Sequence, residues 1–153
     1  MTDTFFHFAR AAVASGSLIA PGNFGRLIRE GGERHQLFRR ETFYENIRAM
    51  CFSYRPSRLD SLFCFPTIEE ATLCRRHIKG YADSVLHVVA TDETNIFLAD
   101  MNNDIQRSAL TTFDPNIAAR YWGGWRPSPD PKAVVLREIL LREPVRVVGV
   151  ATE

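Results

Sequence analysis

VVLREILLREPVRVVGV, the stretch from Val134 to Val150, contains two apolar runs rich in β-branched residues. Such runs favour strands, because branched side chains pack well on a pleated surface. Glu143-Pro144 separates the two runs, and proline is excluded from the interior of a sheet. We therefore predict two strands, Val134 to Leu141 and Val145 to Val150, joined by a bend.

Outside this stretch, helices are predicted where apolar residues recur at helical spacing or follow a capping residue. They cover Arg40 to Cys51, Ile68 to Lys79 after the cap Thr67, and Pro115 to Trp122 after the cap Asp114. Further strands are predicted from short apolar runs, at Phe5 to Phe8, Leu62 to Phe65, Val85 to Ala90 and Asn95 to Met101.

The glycine-rich stretch from Asn23 to Glu33 is predicted to be an ordered loop containing one strand. Together these elements predict an α+β fold, with a largely antiparallel or mixed sheet and flanking helices. With 153 residues, 45% of them hydrophobic, the chain is expected to form a single domain over residues 1–153.

Charge and cysteine content narrow the possible environments of the protein. A formal net charge of +1 provides no overall field that would attract nucleic acid or a membrane. No signal peptide and no run of about 20 apolar residues is visible, so a cytoplasmic location and no membrane partner are expected. Cys51, Cys64 and Cys74 form no CxxC pair and are expected to be reduced core residues.

Glu138 is the first candidate for chemistry, because it places a carboxylate in the middle of an apolar strand. A buried charge is costly without a partner, so such a residue has either a function or a structural compensation. The structural alternative is that Glu138 faces solvent at a sheet edge or pairs with Arg137 or Arg142. The sequence leaves both interpretations open.

His7 lies inside an aromatic strand, where it is either functional or a core or edge histidine bonded to the backbone. His35, His77 and His87 lack metal-ligand spacing to one another or to a cysteine, so no metal site is predicted. The sequence also lacks a GxSxG nucleophile motif and a GxGxxG dinucleotide motif.

Arginines are concentrated between positions 26 and 58, and their planar forks suit phosphate oxygens. They are a candidate groove for a phosphorylated ligand or a nucleic acid. The alternative is a solvated surface in which acidic residues are interspersed. The candidate arginines are Arg26, Arg29, Arg34, Arg39, Arg40, Arg55 and Arg58, and the interspersed acids include Glu30, Glu33 and Glu41.

Three segments resemble the small rifampin ADP-ribosyltransferases, which open with a histidine-bearing strand and close on a Glu-Pro strand. They are Phe5-Phe6-His7-Phe8, Leu62-Phe63-Cys64-Phe65 with the following Glu69-Glu70-Ala71, and Glu143 to Val150. The stretch from Gly25-Arg26 to Pro56-Ser57-Arg58 is also similar to a bacterial domain family of unknown function in the same superfamily.

The resemblance implies an ADP-ribosyltransferase-like fold, in which a split antiparallel sheet surrounds a cleft that holds bent NAD. By position, His7 would bond a ribose hydroxyl and the backbone of Phe8 would hold the nicotinamide amide. Phe63, or alternatively Phe65, would stack on nicotinamide. Glu138 would stabilise the oxocarbenium-like sugar, and arginines including Arg26 and Arg58 would clamp the pyrophosphate. Phe8 departs from the glycine of the family, and Phe63 from its tyrosine.

The expected function is therefore NAD-dependent transfer of ADP-ribose, with NAD as a substrate and a protein, nucleic acid or small molecule as the acceptor. Two alternatives stay open. One is a catalytically silent relative that binds a nucleotide or a partner protein in the same cleft, and the other is a nucleic-acid or phosphate-binding domain that uses the segment from Arg26 to Arg58.

Overall fold

The computed structural model describes residues 2–101 and 113–153. In chain order the strands are β1 (Asp3–Ala9), β2 (Leu18–Ile19), β3 (Leu62–Cys64), β4 (Val85–Thr91), β5 (Phe97–Asp100), β6 (Arg137–Leu141) and β7 (Val145–Val150). The α-helices are α1 (Asn23–Gly31), α2 (Phe38–Cys51), α3 (Ile68–His77) and α4 (Pro115–Gly123). Short 3₁₀ turns cover Gly32–Arg34, Arg58–Asp60 and Lys79–Tyr81.

The strands form two antiparallel sheets. The larger sheet has the order β1-β4-β7-β2, and the smaller sheet has the order β3-β6-β5. Phe6 of β1 exchanges two backbone hydrogen bonds with Phe65, which lies just after β3, at 3.0 and 2.8 Å. This bridge fastens the edge of the larger sheet to the edge of the smaller one.

The two sheets pack face to face, and helices cover their outer faces. Val89 and Val147 of the larger sheet meet Cys64 and Ile139 of the smaller sheet in one buried cluster. On the outer face of the larger sheet, Phe8 and Leu86 pack against Ala71 and Cys74 of α3. On the outer face of the smaller sheet, Phe97, Ala99 and Leu140 pack against Tyr44 of α2 and Tyr121 and Trp122 of α4.

The structure confirms the α+β class, with antiparallel sheets and flanking helices. The predicted caps are also confirmed, since the Thr67 side chain accepts a hydrogen bond from Glu70 N–H and the Asp114 side chain accepts one from Asn116 N–H. The strand predicted from Val134 begins only at Arg137, and the short strand β2 was not predicted.

The prediction of a loop with one strand between Asn23 and Glu33 is wrong, because this stretch forms α1 and the start of a 3₁₀ turn. Its glycines have packing roles that a sequence pattern does not show. Gly22 precedes the helix with a φ of 94°, a conformation that favours glycine. Gly25 lies inside the helix, and a Cβ atom there would overlap the backbone of Leu59.

Cysteine placement corrects a second expectation. Cys64 and Cys74 are buried as predicted, whereas Cys51 is exposed at the end of α2. No helix within residues 2–101 and 113–153 is both long enough and apolar enough to cross a bilayer.

Candidate functional site

Glu138 lies on β6, the central strand of the smaller sheet, and is only 3% exposed. The alternative that placed it in solvent or beside Arg137 or Arg142 is wrong, because β6 is hydrogen-bonded on both edges and α4 covers this face. Its carboxylate forms a buried ion pair with Arg58 and accepts a hydrogen bond from the Tyr121 hydroxyl at 2.7 Å.

Arg58 connects Glu138 to a second buried carboxylate. Its Nε donates to Glu41 Oε2 at 2.9 Å, and its Nη1 donates to the Tyr121 hydroxyl at 2.5 Å and to Glu138 Oε1. Burial by itself would lower the pKa of Arg58, but the carboxylates of Glu138 and Glu41 outweigh it and raise this pKa well above its ordinary value. Glu41 is therefore not one of the solvated acids that the sequence suggested, since it is 1% exposed.

A cleft of about 380 Å³ opens above this network, and both Arg58 and Glu138 line it. Its volume falls within the usual range for small-molecule sites. Glu138 is the only acid among the described lining residues, whereas several bear positive or titratable nitrogen groups. The described lining consists of Phe24, Gln36, Leu37, Arg40, Arg58, Phe63, His77, Ile78, Lys79, Gly80, Tyr81, Met101 and Glu138.

The two oxygens of the Glu138 carboxylate have different surroundings. Arg58 and Tyr121 both bond to Oε1. Among the residues that the structure describes, none donates a hydrogen bond to Oε2. Glu138 lines the cleft, and Oε2 is its carboxylate oxygen to which no described residue donates.

Aromatic rings form two sides of the cleft. Phe63 packs edge-on against Phe24 with ring centroids 5.2 Å apart, and the Arg58 guanidinium lies 4.8 Å from the Phe63 centroid. Tyr81 stacks on Phe8 at 4.6 Å with an interplanar angle of 23°. Burial, with a further contribution from the Glu138 carboxylate, raises the pKa of the Tyr81 hydroxyl, so that hydroxyl remains protonated at neutral pH.

The structure places His7 beside the cleft but not in its described lining. His7 is half-buried, and its Nδ1–H donates to the backbone carbonyl of Phe63 at 2.8 Å. Burial lowers the pKa of His7, and His87 on the neighbouring strand lowers it further, although the bond to Phe63 opposes this shift. One ring nitrogen is therefore bonded to the backbone, as the structural alternative for His7 supposed.

Phe8 is buried in the core beneath Tyr81. The direction of the Phe8 backbone groups follows from that of Phe6. The N–H and C=O of Phe6 both bond to Phe65 and therefore point away from β4. Residues two apart on a strand direct their backbone groups to the same side. The N–H and C=O of Phe8 therefore point toward the side where the smaller sheet lies.

The arginines predicted to form a groove are not gathered in one place. Arg26 and Arg29 lie exposed in ion pairs with Glu30 at 2.9 Å and Asp60 at 2.8 Å, respectively. Arg55 donates to the backbone carbonyls of Trp122 and Gly123. Only Arg40 and Arg58 of the candidate set belong to the described lining of the cleft.

Sequence analysis did not identify Glu41, Tyr81 or Tyr121 as site residues. Glu41 lies on α2 and Tyr121 on α4, where neither residue type marks a function. Tyr81 follows α3 in a 3₁₀ turn, and no motif in the sequence marks it. No protein-family model matches the chain, and no curated protein matches it significantly.

Proposed function

We propose that the cleft binds NAD and that the protein is an ADP-ribosyltransferase-like enzyme transferring ADP-ribose to a protein, nucleic acid or small-molecule acceptor. The observation that carries the proposal is that Glu138 lines the cleft, with Oε1 bonded to Arg58 and Tyr121 and with no described residue donating to Oε2. A carboxylate in this position suits a reaction that develops positive charge on a sugar.

The other side chains that line the cleft suit a ligand that has both an aromatic ring and an anionic group. Phe63 and Tyr81 offer aromatic surface for a flat ring such as nicotinamide. Lys79 is exposed, and Arg40 pairs with Glu41 at 3.4 Å; both bring positive charge to the same cleft and would contact phosphate oxygens. In this assignment Arg40 and Lys79 take the pyrophosphate role that the sequence gave to Arg26 and Arg58, because Arg26 lies outside the described lining and the Arg58 guanidinium is bonded to Glu41 and Glu138.

The proposed reaction breaks the bond between the nicotinamide nitrogen and C1 of the adjoining ribose. The electron pair of that bond leaves with nicotinamide, which becomes neutral. A nucleophilic atom of the acceptor bonds to C1 and loses its proton to solvent. Glu138 would stabilise the positive sugar between these events, which is an interaction stronger in the transition state than in the bound substrate.

A catalytically silent protein that binds a nucleotide in this cleft is the second candidate. Two observations favour it. The ring of Phe8 occupies space beside the cleft where the related enzymes have a glycine, and the charge of Glu138 is already compensated by Arg58. The cleft would then bind NAD without cleaving it.

We also propose a cytoplasmic location, which the free thiols of Cys51, Cys64 and Cys74 support.

Calorimetric titration with NAD, combined with chromatography of released nicotinamide from the same samples, tests the proposal. Wild-type protein should bind NAD and release nicotinamide, and Glu138→Gln should bind with similar affinity but lose release. Glu69→Gln is the matched control, because Glu69 is an exposed glutamate on α3. Binding without release would favour the silent nucleotide-binding protein, and the absence of binding would refute both candidates.

A further inference from the structure

The Glu138 carboxylate is held at one oxygen. A buried carboxylate is unfavourable unless hydrogen-bond donors replace its lost hydration. Both donors here, Arg58 Nη1 and the Tyr121 hydroxyl, reach the same atom, Oε1. Two donors that approach one oxygen from different elements fix the rotation of the whole carboxylate, and they thereby fix where Oε2 points.

Arg58 is itself held on several sides. Its Nε bonds to Glu41 Oε2 at 2.9 Å, on the opposite edge of the guanidinium from Glu138. The guanidinium carbon lies 4.8 Å from the Phe63 ring centroid and 5.2 Å from that of Tyr121. A planar guanidinium that has a carboxylate on each edge and aromatic rings beside it cannot rotate freely. Arg58 therefore has one orientation, set by Glu41.

The parts of this network come from separate elements. Glu41 belongs to α2, Arg58 to the 3₁₀ turn before β3, Tyr121 to α4 and Glu138 to β6. The side chains of Glu41, Arg58 and Glu138 are all more than nine-tenths buried. The two helices that cover the smaller sheet thus determine the orientation of one carboxylate on that sheet.

We propose that Glu41, Arg58 and Tyr121 form a positioning unit that directs Oε2 of Glu138 at the ligand in the cleft. Glu41 orients Arg58, and Arg58 and Tyr121 hold Oε1. The inference rests on the proposed function for its catalytic consequence, because Oε2 is the atom that would face the positively charged sugar. None of the three residues of the unit needs to undergo a chemical change during the reaction.

Crystal structures of two phenylalanine variants test the positioning without any ligand. In Tyr121→Phe we expect the Glu138 carboxylate to rotate or to occupy two positions, because one of the two donors to Oε1 is lost. Tyr44→Phe removes a hydroxyl from the same cluster, where the Tyr44 ring meets Tyr121 edge-on at 5.6 Å. In that control the Glu138 carboxylate should keep the wild-type position.

Kinetics of nicotinamide release test the catalytic consequence. Tyr121→Phe should lower kcat by roughly 100-fold, the effect expected of a displacement of about 1 Å, and should change the Kd for NAD by no more than about twofold. Tyr44→Phe should keep the wild-type kcat. Arg58→Lys should also lower kcat, because an ammonium group cannot reproduce the fork between Glu41 and Glu138. If Arg58→Lys does not fold, Tyr121→Phe decides the question.

An unmoved carboxylate together with wild-type kcat in Tyr121→Phe would overturn the positioning unit. If wild-type protein neither binds NAD nor releases nicotinamide, only the proposed function is overturned. In that case the position of Glu138 in the two crystal structures still decides whether Tyr121 orients the carboxylate.

Discussion

Arg58 and Glu138 are separated by 80 residues in the sequence and form an ion pair beneath the cleft, with their side chains only 8% and 4% exposed. Loss of one partner from a buried ion pair leaves an uncompensated charge, which costs more than the pair itself contributes. Stability and the candidate chemistry therefore depend on the same contact.

Arg58→Ala should lower the free energy of unfolding by about 3–5 kcal/mol, because Glu138 loses its buried cationic partner and Glu41 keeps only the longer pair with Arg40, at 3.4 Å. Urea denaturation followed by circular dichroism measures this change. Arg26→Ala is the matched control, since the Arg26–Glu30 pair is exposed. Its loss should change the free energy by no more than about 1 kcal/mol. Equal effects of the two variants would contradict the role given to Arg58.

Gly25→Ala should destabilise the protein by about 3 kcal/mol or more, because the new Cβ overlaps the Leu59 backbone and pushes α1 away from the turn that carries Arg58. Gly123→Ala, where no atom lies within 4 Å of the added Cβ, should stay within about 1 kcal/mol of wild type. Thermal unfolding of the two variants gives the comparison. A Gly25→Ala protein with wild-type Tm would show that α1 is not packed as described.

The free energy of unfolding should decrease as the pH falls below about 6.5. The pKa of His7 is lowered in the folded protein, first by burial and then by His87, so the unfolded chain takes up the proton first. The stabilising contribution is complete above the unfolded pKa and is lost as the pH falls toward the folded one. Denaturation at several pH values between about 7 and 5 measures the slope.

His7→Gln should reduce this slope by up to about 1.4 kcal/mol per pH unit, the value for one proton. Glutamine keeps an N–H group that can donate to the Phe63 carbonyl. An unaltered slope in His7→Gln would mean that other groups cause the acid sensitivity.

Lys79→Ala should weaken NAD binding roughly fivefold, which corresponds to about 1 kcal/mol for one partly exposed charge pair. The difference from wild type should shrink as salt is added, because the interaction is electrostatic. Lys132→Ala, an exposed lysine outside the described lining of the cleft, should bind NAD as wild type does. Calorimetry at low and high ionic strength provides both comparisons. Equal affinities of the two variants would remove Lys79 from the site.

The sequence predicted the helices and strands whose formation depends on interactions between residues close together in the chain. The caps Thr67 and Asp114 and the apolar runs of β1, β3, β4 and β7 each act within a few residues, so their effect is visible in the sequence. The helix α1 was missed because its glycines suggested a loop, although Phe24, Leu27 and Ile28 recur at helical spacing on its less exposed side.

For the candidate site too, the sequence predicted the residue that has a local signal and missed the contacts that form only in the folded protein. Glu138 was identified because a carboxylate in an apolar strand is unusual in sequence as well as in structure. Its contacts were not predicted: Arg58 was expected to clamp the pyrophosphate, and Arg58 and Tyr121 meet Glu138 only after two helices have packed on the smaller sheet. Arg26 was predicted to bind the ligand because it is an arginine in an arginine-rich segment. In the structure its side chain instead forms an exposed ion pair with Glu30.

The order of strands in the larger sheet has a consequence for synthesis on the ribosome. Its second strand, β4, is bordered by β1 on one side and by β7 on the other. An emerging chain can pair β1 with β4 long before Val145 to Val150 have been made, and one edge of β4 is then open to pairing with other chains. Nascent chains arrested before β7 should therefore bind general chaperones strongly, and release should coincide with the emergence of that final strand.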